Sequence, residues 1–154
     1  MPNALGRFTM TVGVMPLRAE DRADWERLAR GYHGFYGDHF PLEAYERAWS
    51  RLRDAREIHA LGAYDDTRLV GIVHYLFHRH VWQPDVCYLQ DLFVDEHVRG
   101  RGVGRALIAQ VEREARRRGA FRVYWMTKHD NEPARRLYDK IATHSGFIRY
   151  EDPV

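Results

Sequence analysis

The stretch QDLFVDEHVRGRGVGRALIAQVEREARRRG, from Gln90 to Gly119, constrains the fold more than any other part of the chain. An alternating apolar run leads directly into three glycines separated by single residues, and these lead into a basic amphipathic pattern. A strand that enters a glycine-rich turn and then a helix N-terminus brings free backbone N–H groups together at the positive end of the helix dipole, which is an anion site. Gly100, Gly102 and Gly104 let the backbone adopt φ > 0 and approach a bulky anion without a Cβ in the way. Arg99, Arg101 and Arg105 place guanidinium groups, which match phosphate geometry, alongside.

Two common phosphate motifs are excluded. A Walker A loop ends in Gly-Lys-Ser/Thr, whereas Gly104 is followed by Arg105 and Ala106. A dinucleotide fingerprint needs glycine at Arg105 or Leu107, and the acidic ribose partner expected about 20 residues on is not met by Arg122.

The rest of the chain reads as one domain over residues 10–154, with 1–9 as an N-terminal extension. At 154 residues the chain is too short for two ordinary domains. A strand is expected within Thr9–Arg18 and a helix after it, with Gly31–Pro41 as an aromatic loop and a second helix carrying Leu42, Tyr45, Trp49 and Leu52. Two β-like runs around Asp65-Asp66-Thr67 suggest a hairpin. Strict alternation in the next strand puts Tyr88, Gln90, Leu92 and Val94 on one face and Cys87, Leu89, Asp91 and Phe93 on the other. A helix from Val103 to Gly119, a strand over Ala120–Lys128, a helix from Glu132 and a last strand GFIRYE complete the order βααβββαβαβ.

The net charge of +2 announces neither a nucleic-acid nor a membrane partner, so an anion site must be local. In REARRRG, Glu112 and Glu114 interleave with the arginines, which reads as a solvated helix face. The single Cys87 rules out an internal disulfide, reads as a small buried hydrophobe and fits a reducing, cytoplasmic setting. No window approaches the roughly 18 apolar residues of a membrane span.

VRGRGVGRAL after LFV resembles the R/Q-x-x-G-x-G/A signature of the GNAT superfamily of N-acetyltransferases, with Arg99, Gly102 and Gly104 in the signature positions. The likeness extends through NEPARRLYDKIATHSGF, similar to that family's second motif, and the pattern before the signature is most like the diamine, histone and D-amino-acid acetyltransferase branch. The resemblance implies an α/β fold: a single-domain, mostly antiparallel sheet flanked by helices, with two central parallel strands splayed to hold acetyl-CoA as cosubstrate. The pyrophosphate would sit on amides from Arg99 to Arg105, Val103 included, and the pantetheine arm would run beside Leu92, Phe93 and Val94, with Asn131 and Arg135 contributing. Tyr138 would be the general acid at the sulfur; on spacing alone it is a core aromatic of an amphipathic helix.

The implied acceptor is a small-molecule or peptide primary amine, with Tyr36, Gln90, Asp91 and His78 as candidate contacts. Gln90 stands where that branch carries Glu, so the branch's carboxylate base does not transfer, and a water relay is the expected route for the amine proton. Loss of that base keeps a non-catalytic acyl-CoA-binding module as the rival reading, while Tyr138 speaks against it. His74, His78 and His80 alternate on one strand face, as an acceptor-pocket base, a metal site or a satisfied face; without Cys or a carboxylate third ligand, no metal is expected. Tyr32, Tyr36 and Phe40, with Asp38 and Glu43, form either a lid for a cationic acceptor or a loop pinned to the core. A homodimer is the candidate assembly.

Overall fold

The computed structural model describes residues 11–154; the N-terminal extension and the first residues of the expected opening strand lie outside them. The elements are β1 (Val12–Pro16), α1 (Arg22–Tyr36), α2 (Leu42–Asp54), β2 (Ile58–Asp65), β3 (Arg68–His78), β4 (Val86–Val94), α3 (Val103–Arg118), β5 (Arg122–Tyr124) and α4 (Glu132–Ile141). Among the described residues they form one sheet in the order β1-β2-β3-β4-β5, antiparallel except for β4 beside β5. This is the expected mixed, mostly antiparallel α/β fold.

The sheet is covered on both faces. One core packs Leu61, Val73, Cys87 and Leu89 against Val103, Leu107, Ile108 and Val111 of α3, with Tyr138 of α4 at its margin. The other packs Leu69 and Ile72 against Trp25 and Leu28 of α1 and Tyr45 of α2. Helix α3 begins after Gly102 and stops at Gly119, where a left-handed residue donates to the last-turn carbonyls of Ala115 and Arg116. Cys87 is fully buried, and burial pushes its thiol up to about 12. Arg117 pairs with Glu114 on the solvated face of α3.

Four expectations need correction. First, α1 continues through Gly31 and Gly34 to Tyr36, so the loop shrinks to the residues around Gly37. The helix lies so close to the sheet that a Cβ on Gly31 would sit 2.7 Å from the Phe93 ring, and glycine is retained for that approach. Second, β5 pairs over only three residues, not up to Lys128. Third, α4 ends at Ile141 and GFIRYE forms no strand; Phe147, Ile148 and Tyr150 are exposed. With three paired residues, β5 offers too short an edge to template another strand along that segment.

Fourth, β4 does not alternate strictly. Tyr75 pairs with Leu89, but His74 pairs with Asp91, so Gln90 is an extra, unpaired residue. This β-bulge reverses the phase of the strand. Cys87, Leu89, Leu92 and Val94 consequently share the α3 face, while Asp91 and Phe93 turn to α1 and α2.

Candidate active site

Strands β4 and β5 run side by side only through Val86–Arg122, Cys87–Val123 and Tyr88–Tyr124. Beyond Tyr88, β4 continues for six residues to Val94 with no strand partner on that side among the described residues, and β5 has ended. The resulting opening leads to the glycine turn. Gly100 and Gly102 adopt φ of 75° and 82°, and nothing lies within 4 Å of where a Cβ would stand on either. The first helical bond of α3 runs from the Ala106 N–H to the Gly102 carbonyl, leaving the amides of Val103, Gly104 and Arg105 as the orphan donors of the first turn. Such a cradle of free N–H groups and open space fits a pyrophosphate.

Arg101 and Arg105 are exposed beside the turn. Arg99 is also exposed but folds back onto β4: its Nε donates to the Val94 carbonyl at 3.1 Å and its guanidinium lies 5.3 Å from the Phe93 ring. It therefore braces the end of β4. Asp95 does the same from below, accepting from the guanidinium groups of Arg27 and Arg68 and the His97 amide, while its own N–H holds Val70.

Across the opening, Asn131 donates to the Thr127 hydroxyl at 3.0 Å, and Arg135 ties to the His129 carbonyl at 2.7 Å. Tyr138 packs edge-on against Trp125, and burial, with Tyr36 nearby, pushes its phenol up to about 12. Tyr36 reaches from α1 toward Thr127 and Lys128, spanning the opening.

A cavity of about 350 Å³ lies between α1, α2 and the sheet. Trp25, Tyr32, His33, Phe40, Tyr45 and Phe93 supply its aromatic walls, with Gln90 and Asp91 at the β4 side and Arg51 from α2. Among the described residues Asp91 is the one carboxylate in the lining, and Asp38 and Glu43 do not join it. Burial raises its carboxyl, but hydrogen bonds from His74 and Tyr32 outweigh that and hold it below the usual carboxylate range. His33, bonded to the Tyr45 hydroxyl at 3.0 Å, is held below its ordinary value by burial.

Of the three alternating histidines, only His74 borders the cavity. His74 is buried at the cavity, His78 bonds Tyr124 and the Arg79 carbonyl outside it, and His80 accepts from the amides of the turn after β3. No group of three metal-ligating side chains occurs among the described residues. Tyr36 lies at the opening rather than in the cavity lining. Sequence reasoning missed Trp25, Tyr45 and Arg51, whose apolar or helical spacing carries no mark of a ligand pocket.

The Acetyltransferase (GNAT) family model matches residues 22–142. The D-amino-acid N-acetyltransferase HPA3 of Saccharomyces cerevisiae is 33% identical over 90% of this chain and 88% of its own length. An aminoglycoside acetyltransferase from an uncultured soil metagenomic sample superposes with a TM-score of 0.77 at 26% identity, covering 94% of this chain and 99% of the other. The aminoglycoside acetyltransferase AAC(6')-Iy, bound to a bisubstrate analogue containing CoA, shares the fold with a TM-score of 0.81 at 18% identity over 94% and 99% of the two chains. With the signature turn, the splayed strands and a family match spanning most of its length, this chain belongs to the GNAT family of acetyltransferases.

Proposed function

We propose that the protein is an acetyl-CoA-dependent N-acetyltransferase that acetylates the primary amine of a small molecule within a ternary complex. The observation that carries this reading is the free edge of β4 beyond Tyr88, which ends at the glycine turn on one side and borders the Asp91 cavity on the other. An extended, amide-bearing arm can pair with such an edge as a missing strand would. The amides around Gly102 to Arg105 would hold the pyrophosphate. Bound there, acetyl-CoA would supply a thioester carbonyl open to attack and a thiolate leaving group.

The chain's own groups then have separable roles. Asp91 receives the acceptor as an ammonium, and water carries off the proton that must leave before nitrogen becomes nucleophilic. Tyr138, whose phenol is protonated throughout the neutral range, donates a proton to the departing sulfur. Its position beside Tyr36, which is itself 5.0 Å from Tyr32 at the cavity, links the two ends of the site.

The cavity's charge inventory sharpens the acceptor class. A polycation would leave most of its charges unmatched by the single carboxylate, at a desolvation cost the aromatic walls do not offset. One ammonium on an apolar or aromatic body fits, and Arg51 offers a partner for a carboxylate on the same molecule. Of the acceptor types named for the relatives, this favours amino acids over aminoglycosides. Thiol release from acetyl-CoA across D- and L-amino acids, simple monoamines, polyamines and aminoglycosides tests the reading. Turnover with hydrophobic amino acids is expected; turnover confined to polycations would overturn the acceptor class, and none with any amine would overturn the activity.

A further inference from the structure

We infer that Trp25 and His74 are positioning residues, which hold Asp91 as a fixed anion for the acceptor amine and keep His74 itself out of acid–base exchange; the inference rests on the acetyltransferase reading above. The geometry is a chain of two short bonds. The Trp25 indole N–H meets His74 Nε2 at 2.9 Å, and His74 Nδ1 meets Asp91 Oδ2 at 2.8 Å. Trp25 is 1% exposed and His74 9%, so the first bond is shielded from water, while Asp91 stays open to the cavity.

An indole nitrogen can only donate, so His74 Nε2 must accept and carries no proton. That leaves the proton on Nδ1, where it is donated to the carboxylate. His74 is thereby fixed as the neutral Nδ1–H tautomer, because a proton added at Nε2 would point at the indole N–H and forfeit a buried bond. The β4 bulge completes the device. With a regular register instead of the bulge, the ladder from Tyr75–Leu89 would place Gln90 opposite His74 and Asp91 opposite Val73, turning Asp91 to the α3 face.

The other groups around the pair are Tyr32 and His33 from α1, Tyr45 and Arg51 from α2, and Tyr88 and Gln90 from β4. Tyr32 also interacts with Asp91, and burial keeps its phenol above its ordinary value and therefore neutral. Burial holds His33 below its ordinary value, so it is neutral at neutral pH. Asp91 is thus the negative charge facing the cavity, with His74 shaping its direction without cancelling it.

The test uses three variants, with D-phenylalanine and phenethylamine as acceptors. His74→Asn keeps a donor toward Asp91 and cannot titrate; it should hold the amine KM within about threefold of the parent protein. His74→Leu keeps bulk without a donor, and should raise the amine KM about tenfold while leaving the acetyl-CoA KM unchanged. Trp25→Phe frees Nε2. Whatever packing loss it carries at pH 8.5, its kcat/KM should fall about tenfold further than the parent's between pH 8.5 and pH 6, as the freed imidazole takes up a proton and offsets Asp91.

A general base at His74 predicts otherwise: His74→Asn and His74→Leu would then lose kcat alike at every pH, and that result would overturn the assignment. A Trp25→Phe deficit independent of pH would reduce Trp25 to packing and also overturn it. Parent protein that binds acetyl-CoA by calorimetry yet acetylates neither acceptor would instead overturn the acceptor class on which the assignment stands, and no turnover with any amine would overturn the acetyltransferase reading itself.

Discussion

The two ends of the proposed site, one for acetyl-CoA and one for the acceptor, are built on different principles. The cofactor end, from Leu92 to Arg105, is continuous in sequence and consists of backbone: a free strand edge, a left-handed turn and the first amides of α3. The acceptor end gathers side chains from α1, α2, β3 and β4, and depends on one extra residue in β4 to face the right way. Backbone recognition tolerates many side chains but few changes of dihedral angle. Side-chain recognition has the opposite sensitivity, and so carries the specificity.

Tyr138 stands where the ends meet, and its hydroxyl should give the largest effect. Tyr138→Phe keeps the ring against Trp125 and removes only the donor, so kcat should fall about 10²- to 10⁴-fold with acetyl-CoA affinity and melting temperature nearly constant. Turnover within about threefold of the parent protein, below the general-acid range, would make Tyr138 a packing residue. The raised phenol also fixes a sign: no loss of activity from phenol ionisation should appear below its folded value of about 12.

At the cofactor end, Gly102→Val should weaken acetyl-CoA binding about 100-fold in a folded protein. A branched residue resists φ of 82°, and its Cβ would enter the open space in front of the amides. At the acceptor end, Asp91→Asn should raise the amine KM about tenfold, as expected for losing a charge-assisted bond, without changing cofactor affinity. The smallest effect separates the glycines from one another. Gly104 has no left-handed angle, and a Cβ there would make ordinary contacts of 3.6 Å with Leu137 and 3.8 Å with Val94. Gly104→Ala should therefore stay within about threefold of the parent affinity, because alanine is a good helix former and its methyl points away from the anion cradle.

The contrast also explains what could be read from the chain. The glycine turn, α3 and its stop at Gly119 follow from local chemistry, since backbone dihedrals and orphan amides are specified within a few residues. The acceptor pocket is not local. Nothing in Gln90 marks a bulge, and a strand with unbroken apolar alternation gives the opposite face for Asp91. Gly31 and Gly34 suggest a loop by propensity, and only the approach of α1 to Phe93 shows why they lie in a helix. The apolar alternation of GFIRYE was equally misleading, because strand pattern without a long enough neighbouring edge does not make a strand. His74, His78 and His80 share a spacing but diverge once β3 ends at His78.

If cofactor and acceptor are held by separate parts of one site, crossed calorimetry should separate them. Acetyl-CoA is titrated into the parent protein, Gly102→Val and Asp91→Asn, and D-phenylalanine is titrated into each in the presence of coenzyme A where it binds. The account predicts that Gly102→Val loses cofactor affinity about 100-fold while Asp91→Asn retains it within about twofold and loses the amine instead. Equal loss of acetyl-CoA binding in both folded variants would contradict a division between a backbone-made cofactor end and a carboxylate-made acceptor end.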